Sequence, residues 1–338
     1  METATSFVED TLNGVIWNVV PVFLVLAGVY FGVRTLFVQI RLFPEMLKAV
    51  AETPKGKDRE GRDLDEEYGG LSAFKAFTIS AASRVGTGNI AGVALAISIG
   101  GPGSVFWMWM LALLGGATAF VESTLAQLWK TKDAEGNYHG GPAYYMTRGL
   151  GWKPLAVIFS AFLAVTYGFV YNAIQTNSIV EAVGGSLGTD SVALKGVVAG
   201  VIAVLTALVI FGGVTRIASW TQVIVPFMAG AYILIGLAVL VINWREIPGM
   251  VEMIVGHALG LEQVVGAGVG AAFMQGMRRG LFSNEAGMGS APNAAATATV
   301  SHPVKQGLVQ TLGVYFDTLL VCSITAFVVL LGPAVTYG

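Results

Sequence analysis

Eight stretches of this chain each carry about 20 predominantly apolar residues, enough at about 1.5 Å per residue to cross the hydrocarbon core of a bilayer. They run from Val15 to Phe31, Phe77 to Ile99, Ser104 to Leu128, Leu155 to Val180, Val192 to Phe211, Ser219 to Ile242, Val264 to Met288 and Gly307 to Gly332. None alternates with the period of two that a transmembrane barrel strand needs, so helices are the viable spanning elements. Composition points the same way. Of the 338 residues 54% are apolar and 12% are charged, about half the charged fraction with which a soluble domain covers its core. The mean hydropathy is +0.69. These features predict an all-α integral membrane protein with the bilayer as its main solvent.

Several other classes are excluded. A net charge of −2 offers nothing to nucleic acid, which requires clustered basic charge. Cys322 stands alone in an apolar run, so there is no disulfide framework and no thiolate metal cluster. His139, His257 and His302 are far apart and none has a ligand partner four residues on. No Walker A sequence occurs, so these residues encode no ATP-driven pump. Gly86-Thr-Gly-Asn-Ile-Ala91 fits the dinucleotide fingerprint in letters only: no buried strand precedes it and no acidic residue follows about 20 positions on.

The loops define an orientation. Arg34 to Lys75 carries eight Lys and Arg, Lys130 to Lys153 carries four, and the next two alternate loops carry Arg216 and Lys305. On the other side only Lys195 and Arg245 appear. Basic residues stay cytoplasmic, which places the N-terminus outside. No Lys or Arg precedes Arg34, so the first stretch lacks the basic region of a signal peptide and reads as a retained helix. Leu36, Phe37, Ile40, Phe43, Leu47 and Val50 recur at helical spacing. They predict an amphipathic helix that lies in the headgroup plane or packs on the inner face of the bundle. Thr53–Glu67 mixes both charge signs and reads as a solvated connector.

Two stretches are unlike the rest. The second contains Ser83-Arg-Val-Gly-Thr-Gly-Asn-Ile-Ala-Gly92, with Gly86 and Gly88 near its centre. The seventh, Gly270 to Gly287, gathers glycines, Gln275, Arg278, Arg279, Asn284 and Glu285. Glycine and competing polar side chains unwind helices. Unwound backbone persists at membrane depth only where protein or a water cavity receives its polar groups. Two interrupted helices separated by four regular ones form the pattern of inverted repeats around a central site. A half-helix N-terminus there suits a carboxylate, and freed carbonyls suit a hard cation such as sodium.

Three blocks carry a family resemblance: Ser83 to Gly92, Gly100 to Gly115, and Gly280-Leu-Phe-Ser-Asn-Glu-Ala-Gly-Met-Gly-Ser-Ala-Pro-Asn-Ala-Ala-Ala296. They resemble the sodium:alanine symporters, the alanine or glycine:cation symporter family, from about Val15 to the end. Ser104 is a mild departure, at a position where Ala or Gly is expected. The resemblance implies a leucine-transporter-type bundle of ten core helices in two inverted repeats of five. In this chain it implies an extra N-terminal helix over 1–33, a cytoplasmic segment over 34–75, a first repeat over 76–242 and the start of a second over 243–338. By this resemblance the chain stops after the seventh core helix, as a truncated gene or fragment would.

The resemblance also implies residue roles. Substrate would meet Gly86, Thr87 and Gly88, its carboxylate on the Thr87 and Gly88 backbone amides. Sodium would meet the Asn89 side chain and the carbonyls of Ala82, Arg84 and Val85. Phe273, Met274, Gln275 and Gly276 fall where the sixth core helix should break, Phe273 walling the substrate and Gln275 bonding a polar group on it. Asn172, Gln175 and Asn177 lie mid-span on the third core helix, Asn172 and Gln175 on one face, either at the substrate or bridging helices. Buried ionisable groups in a bilayer are functional by default. Asp317 is then a cation ligand, or a partner of Arg278 or Arg279. Glu122 would pair toward Lys130, and Glu285 would cap a half-helix or pair with an arginine. The expected activity is symport of sodium with a small neutral amino acid, alanine or glycine, by alternating access and without a cofactor. A cation channel, or an intramembrane enzyme using Glu122 with Asp317, is the alternative.

Overall fold

The computed structural model describes residues 13–51, 71–134, 136–189, 191–261 and 267–332; the Thr53–Glu67 connector lies outside them. Six described helices are long and apolar enough to cross a membrane: α1 Asn13–Arg34, α5 Gly103–Leu128, α7 Lys153–Leu187, α8 Val192–Ile210, α9 Gly213–Ile242 and α13 Pro303–Leu330. They match six of the eight stretches, with ends that differ by up to seven residues. The shorter helices are α2 Phe43–Ala51, α3 Ala73–Arg84, α4 Gly88–Gly100, α6 Pro142–Arg148, α10 Ile247–Leu259, α11 Ala267–Asn284 and α12 Ala291–Ala296. Proline in the first turn starts α6, α7, α10, α12 and α13, where its missing N–H costs nothing. Gly188 and Gly260, both left-handed, end α7 and α10.

The core is organised around α5, which packs against α1, α10, α11, α12 and α13. Small residues on α5 make this possible. A Cβ on Gly103 would lie 2.6 Å from the Ala258 amide nitrogen, and one on Gly115 would lie 2.9 Å from the Ala286 Cβ. Helices in lipid associate through such close backbone approach. At the periphery α8 buries none of its residues, as a lipid-facing helix can. A two-residue hairpin, β1 Thr131–Lys132 with β2 Tyr138–His139, joins α5 to α6. There the His139 ring, 2.7 Å from the Asp133 carboxylate, holds that carboxyl below its usual range.

The segment after α1 is bent. Leu36 and Phe37 have φ near 55° and 52°, which interrupts the expected continuous amphipathic helix. Val38, Gln39, Met46 and Ala49 turn into the bundle, and the Tyr315 hydroxyl donates to the Gln39 carbonyl at 2.8 Å. Leu36, Phe37, Ile40, Phe43 and Leu47 point outward. One face therefore packs on the bundle, Val50 of the predicted apolar stripe with it, while the other five residues of the stripe stay free to meet lipid.

The remaining two stretches are the interrupted ones. The second divides into α3 and α4 across Val85–Thr87. The seventh corrects the sequence reading: α11 runs regularly through Phe273, Met274, Gln275 and Gly276 to Asn284, and the break follows at Glu285–Ser290. Positive φ at Glu285, Gly287 and Gly289 (55°, 84° and 78°) makes the break. Gly276 is there for packing: a Cβ on it would lie 2.5 Å from the Ser104 carbonyl oxygen and from the Trp107 Cβ. Gly276→Leu is accordingly expected to force α11 off α5 and destabilise by about 1–3 kcal/mol, the usual cost of overpacking. Thermal unfolding in detergent checks this. Gly249→Ala, in open space, should melt like the unaltered protein.

Candidate binding site at the helix breaks

The first break is made by side chains that capture backbone amides. Val85 N closes the last turn of α3 on the Ala81 carbonyl at 2.7 Å. Gly86 N instead donates to Asn89 Oδ1 at 2.8 Å, and Asn89 N donates to the Gly86 carbonyl at 3.2 Å. Continuing the helix would have brought those two amides to the Ala82 and Val85 carbonyls. Two of the three predicted carbonyl ligands thus lose their helical donors. Thr87 N donates to Gln175 Oε1 on α7 at 3.2 Å. A Cβ on Gly86 would fall 2.5 Å from the Gln175 amide nitrogen, so any larger residue there would push the Gln175 side chain off Thr87 N.

A cavity of about 450 Å³ opens beside this break, with Gly86, Thr87, Asn89, Gln175, Met228 and Tyr232 among its lining residues. A second cavity, of about 480 Å³, is lined in part by Ser80, Ser83, Tyr167, Ser290 and Asn293. Tyr171 separates them along α7. Its ring stacks on Tyr167 at 4.8 Å and on Phe282 of α11 at 5.1 Å.

Behind the break lies a buried polar cluster. Asn89 Nδ2 donates to Asp317 Oδ1 at 2.6 Å and to Ser283 Oγ at 3.0 Å. Ser283 Oγ donates to Asp317 Oδ2 at 2.7 Å, and Thr318 Oγ1 reaches the same oxygen at 3.1 Å. Cys322 Sγ lies 3.1 Å from Ser283 Oγ. Asp317, Thr318 and Ser283 are all 0% exposed. Asp317 lies in the first turn of a π-helical segment, Phe316–Cys322, whose i→i+5 pattern carries Asp317 and Cys322 to one face of α13. The oxygens of Asp317, Ser283 and Thr318 form a hard-donor set suited to a small cation, while the Asn89 side chain turns its nitrogen to this set and its oxygen to Gly86 N. Among the described residues no three His, Cys, Asp or Glu converge as a multivalent metal site would require.

The structure brings Gly86, Thr87, Gly88, Asn89, Gln175 and Asp317 together and moves other candidates away. Phe273 packs edge-on against Trp107 at 5.0 Å. Gln275 lies by Gly100 and Gly276 by Ser104, none of them on either cavity. The reason is the later break: eight to eleven residues of regular helix separate these side chains from it. Arg278 lies 5.2 Å over the Trp17 ring and the Arg279 stem lies near Gly92, so neither arginine serves Asp317. Glu122, expected to face Lys130, accepts from Gly287 N at 3.2 Å and so holds the second break open. Glu285 accepts from the Ser83 and Ser290 hydroxyls at 3.2 and 2.5 Å. The Arg84 side chain, 2% exposed, reaches the Gln310 carbonyl at 3.4 Å. Asn172 caps carbonyls of its own helix at Tyr167 and Gly168, and Asn177 bonds Glu181.

Sequence reasoning missed Ser283, Thr318 and Cys322. Ser283-Asn-Glu285, three polar residues just before the Gly287 and Gly289 pair, was the available signal for the first. Nothing in the sequence announces the π turn that recruits Cys322.

A multi-pass helical bundle with two interrupted helices meeting at a dry, carboxylate-containing cluster defines a membrane transporter of the secondary type. Comparison with known proteins agrees. The profile of the sodium:alanine symporter family matches residues 1–337, and the chain belongs to that family. It is 52% identical to the amino-acid carrier protein AlsT of Bacillus subtilis over 96% of this chain and 67% of that protein. It is 44% identical to the probable sodium/glutamine symporter GlnT of the same organism, over 99% of this chain and 67% of the relative. It is 40% identical to the sodium/alanine symporter AgcS of Methanococcus maripaludis, over 94% and 69%. The chain spans about two thirds of the length of these relatives. Its family is one of transporters, not enzymes.

Proposed function

We propose that the protein couples sodium entry to uptake of a small neutral amino acid, alanine or glycine, by alternating access. One observation carries the reading. The Thr87 amide edge, with Gln175 across from it, and the Asn89–Ser283–Asp317 cluster occupy the two sides of a single helix break. The amides of Thr87 and Gly88 hold the substrate carboxylate once Gln175 yields, and that of Gly86 joins them once Asn89 releases it. Asp317, with the oxygens of Ser283 and Thr318 and the Ala82 and Val85 carbonyls, holds sodium, and the Asn89 oxygen joins them once it releases Gly86 N. Asn89 touches both halves of the site through Gly86 N and Asp317, so filling one half organises the other. Two cavities parted by the Tyr167–Tyr171–Phe282 stack support opening to alternate sides.

This reading takes the bundle as leucine-transporter-like in the plasma membrane, with the basic loops cytoplasmic and the N-terminus outside. Asn13–Arg34 is then the extra helix, 76–242 the first inverted repeat and 243–338 the start of the second. The energetics suffice. One sodium ion moving down about 100 mV contributes roughly 2.3 kcal/mol, and a tenfold gradient adds about 1.4. Together they support roughly 500-fold accumulation.

Alanine uptake into proteoliposomes with and without a sodium gradient tests the reading, with glycine and glutamine as competitors. Sodium should stimulate uptake, and Asn89→Ala should lower the rate about tenfold, the worth of about one charge-assisted contact. Uptake indifferent to sodium, or an Asn89→Ala protein that transports normally, would refute it.

A further inference from the structure

Charge is out of balance at the two breaks. Arg84 brings one positive charge to a region holding three carboxylates, Glu122, Glu285 and Asp317, and all four side chains are 7% exposed or less. Arg84 interacts electrostatically with all three. If all are ionised, a formal charge of −2 remains at bilayer depth, where unpaired charge is costly. A sodium ion at Asp317 accounts for one of the two missing positive charges.

Glu285 is where the second belongs. Both Asp317 oxygens already accept hydrogen bonds, and Glu122 Oε1 takes the Gly287 amide. On Glu285, Oε2 takes the Ser290 hydroxyl and shares the single Ser83 proton with the Ser80 carbonyl, while Oε1 is enclosed and has no hydrogen-bond partner, and the neighbouring buried Tyr167 hydroxyl has none either. Arg84 does not fill the gap: Nη1 turns to the Gln310 carbonyl, and Nε and Nη2 reach no acceptor. Buried polar atoms without a partner are rare and mark an absent water or ion. Each serine hydroxyl that donates to Oε2 keeps lone pairs on its own oxygen. Glu285 Oε1, Ser83 Oγ and Ser290 Oγ therefore present three hard oxygens around one carboxylate.

We propose that Glu285, bracketed by Ser83 and Ser290, is a second sodium-sized cation site, distinct from the Asp317 cluster. Ser83 and Ser290 both line the 480 Å³ cavity, which gives the ion a route to the site. Ser83 belongs to the last turn of α3 and Ser290 to the end of the second break, so an ion here ties the two interrupted helices together. The inference takes from the proposed function only the identity of the ion.

Radiosodium binding to the purified chain in lipid nanodiscs tests it. The unaltered chain should bind two sodium equivalents, Glu285→Gln one, Asp317→Asn one, and the double variant none. Should the Asp317 reading alone be wrong, the unaltered chain and Asp317→Asn each bind one equivalent and Glu285→Gln binds none. A Glu285→Gln protein that binds as much sodium as the unaltered chain overturns the proposal. Should Glu285→Gln fail to fold, Ser83→Ala with Ser290→Ala decides, since it keeps every charge. That pair should weaken one class of sodium site about tenfold, and unchanged affinity overturns the proposal.

Discussion

Asp317→Ala is expected to weaken sodium binding at the break by about hundredfold or more, equivalent to about 2.7 kcal/mol, and to abolish sodium-stimulated alanine uptake. Asp317 supplies the only formal negative charge in its cluster; Asn89, Ser283 and Thr318 offer dipoles. A dry site cannot compensate a monovalent cation with dipoles alone as well as it can with a carboxylate. Asp317→Asn should lose sodium in the same way without harm to the fold. It removes the anion from a region that holds three carboxylates and one arginine yet keeps an acceptor oxygen for the Asn89, Ser283 and Thr318 donors, so the sodium-free Asn variant should melt at or above the unaltered protein. Loss of binding with retained or raised melting temperature, read by radiosodium binding and thermal unfolding, separates a ligand from a structural residue. A variant that melts lower and binds sodium normally would assign Asp317 to the scaffold.

What the sequence disclosed and what it hid divide along one physical line. Continuous apolar runs specify spanning helices through transfer energy alone, so Val192–Ile210 was legible almost to the residue. The first break was legible as well, because Gly86 and Gly88 flank Thr87 with a polar asparagine next to them. The second was misread for an instructive reason. Glycines at 276 and 280 have the same composition signal as glycines at 287 and 289, yet the first pair fits α11 against α5 and the second adopts left-handed backbone. Only the neighbouring helix tells them apart. Asp317 was visible as a costly intramembrane carboxylate. Its partners were not, since Asn89 and Ser283 lie 228 and 34 residues away along the chain. The same holds for Gln175, whose contact with Thr87 spans 88 residues.

Arg84→Ala is expected to be the most destabilising single change at the site, by about 3–5 kcal/mol, the cost of leaving buried charge without its partner. The guanidinium is 2% exposed and is the cation that Glu122, Glu285 and Asp317 share. Its loss takes the formal charge of the breaks from −2 to −3. Packing alone predicts otherwise: a cavity the size of the side chain would be equally costly whatever the carboxylates do. The two accounts separate in a double variant. Arg84→Ala with Glu285→Gln returns the formal charge to −2 and should recover a substantial part of the lost stability, a coupling of about 0.5–3 kcal/mol for groups in one network. Strict additivity of the two changes, measured by thermal or denaturant unfolding in the same detergent, would show that Arg84 fills space and does not balance charge. Recovery would show that the interrupted helices are held at membrane depth by a charge count, and that this count is left negative for cations to complete.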